Sequence, residues 1–187
     1  MTEDDKNLKR LEISIQSRNM EIELFWKRSL FFWGFIASAF VGYAALRTQK
    51  SDLSMFLACF GMVCSCAWSL LNRGSKYWHE SWETKVERFE TAVTGPLFAI
   101  EEQEQTQKGI WLRARNYSVS RLAIALSDYV FIFWIAIVIA EICRQYFPNA
   151  NWRLYKLGPA TFAVFSFAYV VMLFFMTRRK LQRVRKR

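Results

Sequence analysis

The chain has 187 residues, 53% of them hydrophobic and 17% aromatic, and a formal net charge of +10. Apolar and charged residues sit in separate blocks instead of interleaving at helical or strand period, which argues against an ordinary soluble core. The excess base lies mostly in a tail that abuts an apolar run, not on a folded basic face, so no nucleic-acid partner is expected.

With only 3 Pro and 7 Gly, long helices are expected. The N-terminal arm, residues 1–28, reads as an amphipathic helix. Leu8, Leu11, Ile15, Ile22 and Phe25 recur at heptad-like spacing, interrupted by Arg18. Such a helix packs on the central segment or on a neighbouring subunit. No cleavable signal peptide is expected, because this polar arm precedes the first apolar run and no small-residue cleavage site follows.

Residues 29–71 read as a first transmembrane hairpin. The runs Leu30–Leu46 and Leu53–Leu71 each hold about the 17–25 residues that a spanning helix needs. The turn Arg47–Asp52 is short enough to make the two helices antiparallel neighbours. Gly34, Ser38 and Gly42 fall four residues apart, as do Gly61, Ser65 and Ser69. Small residues at this spacing let helix backbones approach closely in lipid, so each stripe is a candidate hairpin seam or subunit contact. Cys59, Cys64 and Cys66 follow neither C-x-x-C nor a zinc spacing and read as packing residues.

Residues 72–121 read as a cytoplasmic helical segment. Asn72-Arg73-Gly74-Ser75 looks like a break after the second run, with Ser75 capping a helix whose Trp78, Trp82, Phe89 and Val93 share one face. Gly95-Pro96 ends it. A second, acidic helix is expected over Leu97–Gln107, and Ser118 is placed to cap the next span. Glu80, Glu83, Glu87 and Glu90 follow helical spacing and read as a solvated face.

Residues 122–177 read as a second hairpin, with runs Leu122–Ile142 and Pro159–Met176. Asp128 lies inside the third run, where a carboxylate is costly unless it is paired, protonated or wet. It is reached by water or a snorkelling Arg121, or it makes a buried polar contact within an oligomer. Glu141, near Arg144, is expected to be solvated at the far interface. Trp26, Trp33, Tyr43, Trp134, Trp152 and Tyr155 include several that fit an interfacial aromatic belt. The tail, residues 178–187, carries Arg178, Arg179, Lys180 and Arg183 and reads as an anchor facing anionic lipid.

Twenty-one of the Lys and Arg residues lie in the arm, central segment and tail, against five in the two short loops. The positive-inside rule then makes both termini and the central segment cytoplasmic. The fold expected is an all-α integral membrane protein with four transmembrane helices as two hairpins, plus cytoplasmic N-terminal and central helices. No catalytic, metal or cofactor site is expected. His79 is the only histidine, and no nucleophile-elbow, Walker or zincin pattern occurs.

The run Asn72-Arg73-Gly74-Ser75-Lys76-Tyr77-Trp78, then Trp82-Glu83 and Val93-Thr94-Gly95-Pro96-Leu97, resembles the signature of small bacterial inner-membrane proteins of the RipA family. Tyr117-Ser118-Val119-Ser120 fits the same pattern. The resemblance implies an octamer in the bacterial inner membrane, associated with adaptation and growth inside host cells, and it supplies no catalytic residues. The expectation is therefore a non-enzymatic homo-oligomer whose cytoplasmic helices form an assembly layer, with a role in envelope or stress adaptation. The alternative is a pore-forming or membrane-disrupting defence effector triggered by a cytoplasmic protein partner. A weaker one, resting on Asp128, is a channel or transporter subunit.

Overall fold

The computed structural model describes residues 2–95, 118–146 and 153–176. The expected helix at Leu97–Gln107 and the tail bases Arg178, Arg179, Lys180 and Arg183 lie outside the described residues. Four helices follow in order: α1 (Glu3–Thr48), α2 (Leu53–Val93), α3 (Val119–Tyr146) and α4 (Arg153–Met176). They hold 94% of the described residues.

α1 begins on a capping box. The Thr2 hydroxyl accepts the Asp5 N–H at 3.2 Å, and Asp5 Oδ2 accepts the Thr2 N–H at 2.8 Å. That backbone N–H, and then the hydroxyl, hold the Asp5 carboxyl below its ordinary range. α1 runs unbroken for 46 residues, roughly 70 Å at 1.5 Å per residue. Arm and first apolar run are thus one helix, about twice as long as a bilayer core is thick.

The α1–α2 turn closes by a Schellman pattern. Ser51 N–H donates to the Leu46 carbonyl at 3.1 Å and Lys50 N–H to the Arg47 carbonyl at 3.2 Å. Lys50 takes the left-handed conformation that the motif requires, at φ 55°. Ser51 then caps α2, its hydroxyl accepting the Leu53 N–H at 3.3 Å.

α2 corrects one expectation. No break occurs at Asn72–Ser75; the helix continues for 41 residues to Val93. A single helical glycine costs only about 1 kcal/mol, and Asn72 and Ser75 are buried at 0% and 3% exposure instead of marking an exit. α2 ends where expected, at Gly95, whose φ of 77° only glycine adopts freely.

α1, α2 and α3 are long and apolar enough to cross a membrane. α4 falls short of that measure over the described residues, its apolar stretch being Ala160–Phe175.

The helices contribute to two compact units. The first holds α1 up to Trp33 and α2 from Leu70. Its buried positions mix apolar and polar residues: Leu11, Ser14, Phe25 and Ser29 on α1, and Asn72, Ser75, Val86 and Glu90 on α2. Phe25 meets the His79 ring edge-on at 5.8 Å. On the outer surface, Lys27 pairs with Glu23 at 2.6 Å and holds the Glu23 carboxyl below its ordinary range. The second unit holds α1 from Gly34, α2 up to Ser69, α3 and α4. Its core is Ala39, Ala58, Trp134 and Val138, with Phe40, Tyr43 and Met62 packed around them.

Candidate functional site

The features that organise the second unit lie on α3. Trp134 is fully buried. Phe40 stacks on it with centroids 4.4 Å apart, and Tyr43 meets it edge-on at 6.1 Å. A Cβ at Gly61 would collide with the indole, so Gly61 is the hollow into which Trp134 fits. Lipid tails give helices no hydrophobic reason to associate, so this fit works through van der Waals contact. Trp134 is therefore no interfacial belt residue. Its mid-span position on α3 faces the neighbouring helices and not the headgroups.

Two turns further along α3, Glu141 is 4% exposed, not solvated as its position suggested. The Tyr43 hydroxyl donates to its Oε1 at 2.7 Å, Arg47 Nε pairs with the same oxygen at 3.0 Å, and Arg144 pairs with Oε2. One carboxylate thus joins the end of α1 to the end of α3. Tyr43 and Arg47 stand one helical turn apart, so both reach it from one face of α1. The pairing compensates the cost of burying the charge. Two guanidiniums on one carboxylate leave one positive charge in excess. A cavity of about 160 Å³ opens beside this cluster, lined by Asp52, Ser54, Met55, Glu141, Arg144 and Gln145.

A second polar tie lies nearer the start of α3. Ser69 Oγ donates to Asp128 Oδ1 at 2.5 Å, linking α2 to α3. Ser69 itself is 6% exposed. α3 and α4 are held by hydroxyls too. The Tyr129 and Ser166 hydroxyls hydrogen-bond at 2.8 Å, and Tyr169 Oη donates to the Ala125 carbonyl at 2.7 Å. Tyr129, Phe133, Phe162, Phe165 and Tyr169 form an aromatic cluster around these bonds.

The small-residue stripes divide. Gly61 and Ser65 are buried, Ser65 at 0% exposure with its hydroxyl turned back to the Gly61 carbonyl. Gly42 is half-buried, and a Cβ there would lie 2.8 Å from Leu57 Cδ1. Gly34 and Ser38 are exposed, and a Cβ at Gly34 would meet nothing within 4 Å. In the first unit, Trp78 is 50% exposed, while Trp82 and Phe89 are half-buried. Lys85 Nζ sits 3.8 Å from the Trp82 ring centroid, a cation–π contact on the outer face. Of the four glutamates expected on a solvated face, Glu80, Glu83 and Glu87 are exposed, but Glu90 is buried at 2%.

Sequence reasoning missed the Tyr43–Arg47–Glu141 link. A usable signal was present. Glu141 and the pair Tyr43/Arg47 all fall where an apolar run gives way to a short loop, the depth at which a charge and its counter-charge can meet. Among the described residues no group of three His, Cys, Asp or Glu gathers in a way that could hold a metal ion.

These features describe a helical membrane protein braced by aromatic packing and a few polar ties. The chain belongs to the octameric membrane protein family (8xMP), which it matches over residues 8–143. It is thus a homo-oligomeric membrane protein. The match carries the octameric family and not the RipA designation that the Asn72–Leu97 run suggested. No curated protein and no solved structure matches the chain.

Proposed function

We propose that this protein is a non-enzymatic octamer of a bacterial inner membrane, in which the charged unit forms a cytoplasmic assembly layer. The observation that carries the reading is an inverted surface. In the first unit Leu8, Ile13, Met20, Trp26, Tyr77 and Trp78 are each 46–68% exposed, while serines, Asn72 and Glu90 are buried. Large apolar side chains standing among charged ones on a surface outside the apolar runs mark a protein contact. The family match runs through both sides of this unit, so the contact belongs to the assembly.

The proposed topology is two hairpins with both termini and the central segment cytoplasmic, supported by the twenty-one-to-five split of basic residues. α4 then serves as the fourth span, the apolar stretch Ala160–Phe175 being extended by the rest of the 24-residue helix. The basic tail faces anionic lipid on the same side. The proposed role in envelope or stress adaptation rests on the resemblance of the Asn72–Leu97 run alone. The channel or transporter reading loses its support, since Asp128 is engaged by Ser69 of the same chain.

The test is the mass of the purified full chain in mild detergent. Eight copies per particle is the expected result, and a monomer at every concentration overturns the proposal. Trp78→Ala should shift the particles towards smaller species while leaving helix content unchanged, because half of that ring has no packing in the single chain.

A further inference from the structure

We propose that the cavity beside Glu141 holds the headgroup of a zwitterionic phospholipid, its phosphate on Ser54 and Arg144 and its ammonium on Asp52. The proposal rests on the spans lying in a bilayer as read above.

The cavity measures about 160 Å³. That is the volume of about five waters at ~30 Å³ each, enough for a phosphate with a short amine arm and too small for a drug-sized ligand. Two donors in its wall lack a hydrogen-bond partner within the chain. Ser54 is 1% exposed, and its Oγ makes no hydrogen bond. Arg144 uses a terminal nitrogen on Glu141, while its buried Nε has no partner. Buried polar groups are ordinarily satisfied, so two orphan donors in one wall point to an acceptor that is not part of the chain.

Charge selects the acceptor. Arg47 and Arg144 together balance the carboxylates of Glu141 and Asp52, so the site is neutral overall but carries separated charges of both signs. Ser54 also lies in the first turn of α2, whose dipole favours negative charge although its first N–H groups are already bonded to Ser51 and Asp52. On the same cavity lies the exposed carboxylate of Asp52. A purely anionic headgroup would be repelled there, whereas an ammonium next to the phosphate would be drawn in. The shared chemistry is a phosphate ester carrying a nearby primary amine.

Two sources carry that chemistry, a soluble phosphoamine and a phosphatidylethanolamine. Position favours the lipid. The cavity lies where the apolar runs Leu30–Leu46 and Leu122–Ile142 end and Leu53–Leu71 begins, the level of the headgroup layer. Beside it in the chain, Leu53 and Phe56 are 57% and 73% exposed and offer apolar surface to acyl chains.

The experiment is native mass spectrometry of the full-length assembly, titrated with phosphatidylethanolamine, phosphatidylglycerol and soluble phosphoethanolamine. The expected result is retention of phosphatidylethanolamine about tenfold better than phosphatidylglycerol. Ser54→Ala should weaken that retention by about tenfold, the effect of losing one hydrogen bond to a charged group. It should leave thermal stability unchanged, because Oγ has no partner in the chain. Asp52→Asn should abolish the preference between the two lipids. Equal retention of both lipids, a Ser54→Ala variant that binds as wild type, or a preference that survives Asp52→Asn would overturn the site. Displacement by soluble phosphoethanolamine at lipid-like concentrations would overturn the lipid source. An intact oligomer without lipid preference defeats this site alone; a monomer defeats the assembly reading.

Discussion

Two stripes of small residues look alike in this chain and behave differently. Gly34, Ser38 and Gly42 on α1 repeat at the same interval as Gly61, Ser65 and Ser69 on α2. The α2 stripe is buried along its whole length, while the first two members of the α1 stripe are open. The difference is Trp134. It gives the α2 stripe a bulky side chain to receive, and no equivalent ring reaches Gly34. Small-residue spacing therefore says that a close approach is possible; a large residue elsewhere decides whether the approach occurs within the chain.

Removing the knob is the hardest way to break this contrast. Trp134→Ala should lower the stability of the purified protein by about 3–5 kcal/mol, the usual loss for a buried Trp left as a cavity. Thermal unfolding in detergent reads it. A melting temperature equal to wild type would mean that Gly61 is buried for some other reason. Filling the hollow is the complementary change. Gly61→Ala should cost about 1–3 kcal/mol by overpacking, since the indole has to shift. The near-ultraviolet signal of Trp134 should change with it.

The parts legible from sequence were those set by composition. Apolar runs of spanning length marked the helices, and Gly95-Pro96 marked the end of α2 because both residues act on the backbone itself. The turn between α1 and α2 followed from its length. What misled was local chemistry without a partner in view. Asn72, Gly74 and Ser75 look like a helix exit, yet Asn72 and Ser75 face inward and the helix continues through them. Glu141 looked solvated because it sits at the end of an apolar run with Arg144 close by; its partners Tyr43 and Arg47 lie about a hundred residues away. Trp134 stood among six aromatic residues in and around the spans, and nothing in the sequence marked it as the buried one. Span position is a one-dimensional fact, and the choice between lipid and helix is three-dimensional.

The polar ties refine the contrast at smaller cost. Ser69→Ala removes the hydroxyl that meets Asp128, at the far end of the packed stripe. Interhelical hydrogen bonds in membranes average about 0.6 kcal/mol because the separated helices find other partners. A loss of that size in detergent unfolding is expected, well below the loss for Gly61→Ala. A loss equal to or larger than that of Gly61→Ala would make the hydrogen bond, and not the indole, the principal brace between α2 and α3.

The open stripe should respond least, and only in one assay. Gly34→Ala adds a methyl group where nothing lies within 4 Å, and it replaces a helical glycine with the best helix former. The single chain should therefore be unharmed, or gain up to about 1 kcal/mol. If the α1 stripe is reserved for another subunit, a larger side chain separates the two outcomes. Gly34→Leu leaves helix content and the Trp134 environment as in wild type, while the particle mass falls below that of the intact assembly. The same substitution with an unchanged particle mass would assign the stripe to lipid. The chain would then have used the same spacing twice, once to seat an indole and once with no packing partner.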